Sequence, residues 1–219
     1  NMKVRSEIEE IVKASKKARD LTQQLLAFAK VQPLVIKDIS INKIITDFTG
    51  MLSRILREDI IIRTSLYDRS GNIEGDPVQI EQVLLNMMLN SQDAMPDGGT
   101  ILIETSETVI SESFAQRLEN VTAGTYVLMC ISDTGSGIDP AIIHKIFDPF
   151  YTTKDLGKGT GLGLSTVYGI VKQHKGFIHV YSERDKGTVF KLYFPLKESK
   201  EGRQIPAPVP AKNCSGNET

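Results

Sequence analysis

The sequence predicts an α+β fold: a two-layer α/β sandwich with one mixed sheet and helices on one face, preceded by a long N-terminal helix. Three observations predict it. β-branched runs alternate with helical patterns from about residue 34 to residue 195. Two of the strand candidates, at 177–183 and 188–195, are joined only through a turn at Asp185, Lys186 and Gly187. The opening residues carry an apolar stripe at helical spacing.

That stripe consists of Val4, Ile8, Ile11, Ser15, Ala18, Thr22, Leu25 and Ala29, in alternating four- and three-residue steps with Lys and Arg on the other side. It describes a heptad-like helix over 1–32 that Pro33 ends and that needs a partner helix. A plain helix packed on the downstream domain is the other reading. Residues 34–39 are extended, and Ser40 is a serviceable N-cap for a helix to about 56. Residues 60–66 read as a buried strand, 69–72 as a turn and 73–75 as a short strand. Asp76, Pro77 and Gln79 mark a helix start: an N-cap, a proline at the first position and a glutamine at the third. This helix carries Asn86 and Asn90 and stops near 95–99. Residues 100–110 and 125–133 read as adjacent strands with a helix-like stretch at 111–120 between them. A short helix is expected around His144 and a longer one over 162–174. Residues 197–219, dominated by Lys, Glu, Ser, Pro and Gly, are expected to be disordered.

A chain of 219 residues with 40% hydrophobic content buries enough core for one domain plus an appendage. A net charge of −1 gives no bulk surface for nucleic acid or membrane. Of the two cysteines, Cys130 lies in an apolar run and Cys214 in the polar tail, which argues against a structural disulfide and fits a reducing cytoplasm. No apolar run approaches the ~18–20 residues of a membrane helix.

The chemistry concentrates between Asp133 and Leu164. Gly135 and Gly137 open this stretch and Gly159, Gly161 and Gly163 close it, running straight into a helical pattern. Backbone amides freed of side chains at a helix N-terminus make an anion site, and phosphate is the natural guess. Two flexible loops are the plain alternative on glycines alone. Upstream, Asn86 and Asn90 are four residues apart and share one helix face.

Together these elements resemble the nucleotide-binding domain of the gyrase, heat-shock chaperone, histidine kinase and mismatch-repair superfamily, with its Bergerat-type ATP-binding fold. Asn86 and Asn90 look like its N box, Asp133 to Gly137 the G1 box, Phe147 to Phe150 the F box, and Gly159 to Gly163 the G2 box, in the right order. The closest likeness is to two-component sensor histidine kinases of the nitrogen-regulation type, through QVLLNMMLNSQDAMPDGG and FDPFYTTK.

The resemblance implies three segments. Residues 1–32 would be the second helix of the dimerisation hairpin, the first and its phosphorylated histidine being absent; 33–196 the catalytic ATP-binding domain; and 197–219 a tail. It implies ATP and Mg²⁺ as cofactors. Partners would be a response-regulator receiver domain, the absent hairpin helix and a second copy in a homodimer, with no nucleic acid, in the cytoplasm. It assigns the metal to Asn90, whose amide oxygen serves a hard ion without adding charge beside a triphosphate. Asn86, Asn90 and Lys154 would be catalytic. Asp133 would accept from the adenine amino group, supported by Thr188, while Gly135, Gly137 and Ile138 line the base. Lys154 and Lys158 would meet phosphates, as would Gly159, Thr160, Gly161, Leu162, Gly163 and Leu164. Asp93 and Phe150 complete the set, though Phe147 and Phe150 also read as packing that latches the lid.

Hydrolysing members of the superfamily carry a glutamate where this chain has Asn86, and an amide has no useful basicity toward water. That favours a kinase; a serine kinase of the anti-sigma type, a hydrolysing ATPase and a nucleotide-sensing scaffold are the rivals. None of the three histidines, His144, His174 and His179, precedes an acidic residue as a phosphoacceptor would, and each reads as structural or surface. Lys175 departs from the glycine that related kinases place there.

Overall fold

The computed structural model describes residues 35–68, 70–118, 120–154 and 159–197. The expected N-terminal helix, the tail beyond 197 and Lys158 lie outside them.

The first two main helices begin where the sequence supplies a cap. β1 (Lys37–Ile39) leads to Ser40, whose hydroxyl accepts from the Lys43 amide at 3.3 Å and starts α1 (Ile41–Ile55). β2 (Ile60–Ser65) and β3 (Ile73–Gly75) precede Asp76, whose carboxylate accepts from Val78 N at 3.0 Å and opens α2 (Pro77–Ala94). The glutamine at the third position does not complete this cap. The Asp76 N–H donates instead to His174 Nε2 at 2.9 Å, and Gln79 Oε1 is buried with no partner among the described residues. A long-range imidazole has taken the place that a local side chain fills in a capping box.

β4 (Gly99–Ile110) and β5 (Gly124–Asp133) pair antiparallel, as adjacent strands should. The helix-like stretch between them shortens to one turn, α3 (Glu112–Ala115), capped by Ser111. Around His144 the expected helix is a run of turns, with Ile142, Lys145 and Asp148 each donating three residues back. α4 (Gly163–Gln173), β6 (Phe177–Glu183) and β7 (Gly187–Pro195) close the domain.

The sheet order is β2-β4-β5-β7-β6; β2 and β4 run parallel and the other pairs antiparallel, so the sheet is mixed. β1 and β3 form a separate two-stranded ribbon. On one face, Ile45 and Leu52 of α1, Leu84 and Met88 of α2, and Val167 and Val171 of α4 pack with Ile103, Val127, Met129 and Leu192 in one core. Side chains alternate along β5: Val127 joins this core, while Tyr126 joins a smaller cluster with Phe177, Ile110 and Ala115 across the sheet. There Phe177 stacks on Tyr193 at 4.2 Å. Cys130 is buried in β5. Among the described residues, no helix is long and apolar enough to cross a membrane.

Candidate nucleotide-binding site

α2 and α4 frame one side of the site. Asn90 sits near the C-terminal end of α2, one turn beyond Asn86. Its side chain meets the first residue of α4: a Cβ on Gly163 would come within 3.3 Å of Asn90 Nδ2, so the glycine admits the amide. That Nδ2 is buried without a hydrogen-bond partner among the described residues. Leu162, which precedes α4, makes no side-chain cap, so side-chain capping leaves the first amides of the helix unsatisfied. A polar amide lacking a partner therefore faces the positive end of a helix dipole, an arrangement suited to an anion and its counter-ion.

Asp133 defines the other side. It ends β5, and the register sets it opposite Thr188 at the start of β7. Its Oδ1 accepts from Gly135 N at 3.0 Å and Thr188 N at 3.3 Å; its Oδ2 accepts from Ser91 Oγ at 3.1 Å. Burial pushes its carboxyl above the ordinary range, against the pull of those three bonds. The following loop is held on both flanks. Ser136 N donates to Ala94 O at 3.0 Å, and Ile138 N to Ser182 Oγ at 2.8 Å. Gly137 has φ +68°, and a Cβ there would lie 1.9 Å from Glu183 O. Only glycine fits that approach.

The loop leading into α4 folds back on itself. Phe150 N donates to Gly161 O at 2.9 Å, and a Cβ on Gly161 would fall 2.3 Å from Phe150 C. Phe147 packs on Tyr168 of α4 at 5.4 Å, while Phe150 is exposed. Lys154 forms an ion pair with Asp93 on α2.

Of the residues singled out from sequence, the structure brings Asn90 to Gly163, Asp133 to Thr188 and Gly135, and Lys154 to Asp93. Leu162 is buried and Leu164 packs against the core, so these two offer the site backbone rather than side chain. The Ile138 amide is already committed to Ser182. Two participants were not foreseen. Ser91, 2% exposed, is next in sequence to Asn90 yet turns to Asp133; Ser182 also meets Thr188 Oγ1 at 2.9 Å. A serine within the apolar run of α2 was the available signal for the first; the β6–β7 pairing was the signal for the second.

A family model described as histidine kinase-, DNA gyrase B-, and HSP90-like ATPase matches residues 75–198, more than half the chain. The chain belongs to this family. Among relatives of this ATPase-family chain, the sensor kinase CckA of Brucella abortus is 38% identical over 206 residues, covering 94% of the chain and 22% of the relative. Sporulation kinase A of Bacillus subtilis is 36% identical over 179 residues, covering 81% and 27%. The chain thus spans between a fifth and a third of the length of these two relatives. Among solved structures, the catalytic domain of the histidine kinase ThkA superposes with a TM-score of 0.58 at 26% identity, covering 74% of the chain and 95% of that domain. Full-length ShkA, solved with AMPPNP, shares the fold at a TM-score of 0.67 and 22% identity, over 89% of the chain and 39% of ShkA.

Proposed function

We propose that this chain is the ATP-binding catalytic region of a sensor histidine kinase. In this reading it passes the γ-phosphoryl of ATP to a histidine on a dimerisation helix, for relay to an aspartate of a response regulator. The observation that carries it is the Asn90 amide, without a partner among the described residues and set against the uncapped start of α4, with the next residue, Ser91, bonded to the Asp133 carboxylate.

The residues fit a magnesium nucleotide. Among the described residues no group of three His, Cys, Asp or Glu could hold a metal alone, so an ion would bind jointly through Asn90 and phosphate oxygens. When bound, Mg²⁺ supplies charge neutralisation at the phosphates, and Asn90 would hold it. Gly163 and the following amides of α4 receive phosphate oxygens. Asp133, fixed by Ser91, Gly135 and Thr188, keeps a lone pair for the adenine amino group; guanine offers a carbonyl there and is repelled. Asn86 offers no base to activate water, which preserves the γ-phosphoryl for another acceptor. Lys154 reaches a phosphate only on leaving Asp93. ThkA, 23% identical to this chain in that structure, has been solved in complex with the response regulator TrrA, and a receiver domain is the partner this reading calls for. A homodimer in the cytoplasm is its setting.

The test is calorimetric titration with Mg-ATP and Mg-GTP. The chain should bind ATP and discriminate against GTP. Asn90→Ala should lose the magnesium-dependent part of the affinity, roughly ten- to a hundredfold, and Asp133→Ala the discrimination. Equal binding of both nucleotides by the unsubstituted chain would contradict the assignment of Asp133.

A further inference from the structure

α2 and α4 are fastened together at two places, and only one of them is the site. At one end Asn90 abuts Gly163. At the other, the Asp76 N–H that precedes α2 donates to His174 Nε2 at 2.9 Å, just past the last residue of α4. The N-terminus of α2 therefore lies beside the C-terminus of α4 and its C-terminal end beside the α4 N-terminus: the two helices run antiparallel. His174 is 4% exposed, and its Nδ1 lies 2.8 Å from Ile170 O. Since Nε2 accepts, Nδ1 carries the proton and donates to that carbonyl, so one ring joins the last turn of α4 to the cap of α2. The ring is hemmed in. Phe194 meets it edge-on at 6.2 Å, and a Cβ on Gly75 would stand 2.7 Å from its Cδ2.

We infer that His174 is a positioning residue for the nucleotide site. It sets the register of α4 against α2 and so the separation of Asn90 from the amides at Gly163. The lever is the 11-residue helix Gly163–Gln173, roughly 16 Å at ~1.5 Å per residue. A hydrogen-bonded helix transmits an axial slip almost undiminished, because its internal bonds resist stretching. Asp133 and its loop are held by Ser91 of α2, Thr188 of β7 and Ser182 of β6, none of them on α4. A register error would accordingly disturb the phosphate end of the site and spare much of the adenine end. This inference rests on the nucleotide-site reading above.

The experiment compares Mg-ATP with adenosine, which lacks phosphates, on the full chain below its melting temperature. His174→Phe fills the ring's space without either hydrogen bond. It should weaken Mg-ATP roughly ten- to a hundredfold while adenosine affinity changes by less than about threefold. His174→Gln supplies an amide oxygen for Asp76 N–H and an N–H for Ile170 O, and should recover most of the loss. Gly75→Ala, which pushes the ring without removing it, should reproduce part of the loss and carries the test if His174→Phe does not fold. Unchanged Mg-ATP affinity in His174→Phe or Gly75→Ala with only a lower Tm would overturn the inference. So would a parallel weakening of both ligands. If the unsubstituted chain bound neither ligand, the site reading itself would fall and take this inference with it.

Discussion

At the residue scale, Asp133 shows how a buried carboxylate is kept at a cost to stability. Burial raises its carboxyl above the ordinary range despite the bonds from Gly135, Ser91 and Thr188. A raised carboxyl pKa means that the folded chain holds the proton more tightly than the unfolded chain. Its contribution is therefore most favourable below the unfolded pKa and is lost as pH rises through the folded value. Asp133→Asn removes the buried charge while an amide oxygen still accepts from Gly135 and Thr188. It should raise the Tm of the nucleotide-free chain at neutral pH, with the gap to the unsubstituted chain narrowing as pH falls below the folded pKa. A lower Tm for the variant at neutral pH would show that the ionised bonds outweigh desolvation. Lys154 invites a second prediction. Its pairing with Asp93 competes with any phosphate contact, so Asp93→Asn should tighten Mg-ATP by a few-fold, about the value of one partly exposed ion pair. Titration at two salt concentrations checks this, since the gain should shrink at high salt. The individual residues were legible to different degrees. Asn86, Asn90 and Asp133 stood out by type and spacing. Ser91 did not, because its place in the apolar run of α2 signals burial but not a partner, and Asp133 comes to it only 42 residues later.

At the element scale, helix starts were the most readable features because their chemistry is local. Ser40 and Asp76 cap their helices within three residues, so their meaning survives without tertiary context. Asp76 also accepts from Val35 N at 3.1 Å, which ties β1's approach to the same carboxylate. Asp76→Ala should cost about 1–2 kcal/mol, read as a lower urea midpoint with an unchanged m-value. A change in m would instead signal that the β1–β3 ribbon detaches. Where a local rule failed, a distant group had intervened. Gln79 could not close the cap because His174, 98 residues away from Asp76, was already there. The helix expected near His144 broke into turns beginning where Asp139 Oδ1 takes the Ala141 amide at 2.9 Å, in a segment that also pairs Asp139 with Arg184.

At the scale of the whole molecule, the two-layer arrangement followed from the alternation of strand and helix patterns, but the strand order did not. The β6–β7 hairpin was visible in its turn. That β7 rather than β6 lies beside β5 decides whether Thr188 reaches Asp133, and it is settled by pairing between segments more than fifty residues apart. Local periodicity cannot encode such a choice, because either strand of the hairpin presents a suitable alternating face. Through that pairing the end of β5 meets Thr188 of β7 and Ser91 of α2, while Asn90, next to Ser91, lies against the first residue of α4. A kinase of this kind keeps its γ-phosphoryl for transfer to a histidine rather than to water. The direct measurement follows γ-labelled Mg-ATP with the chain alone and with a separately supplied helical hairpin bearing an acceptor histidine. Label should appear on the hairpin, with little free phosphate from the chain by itself. Rapid phosphate release by the chain alone would contradict the kinase reading, and would mean that Asn86 does not prevent hydrolysis.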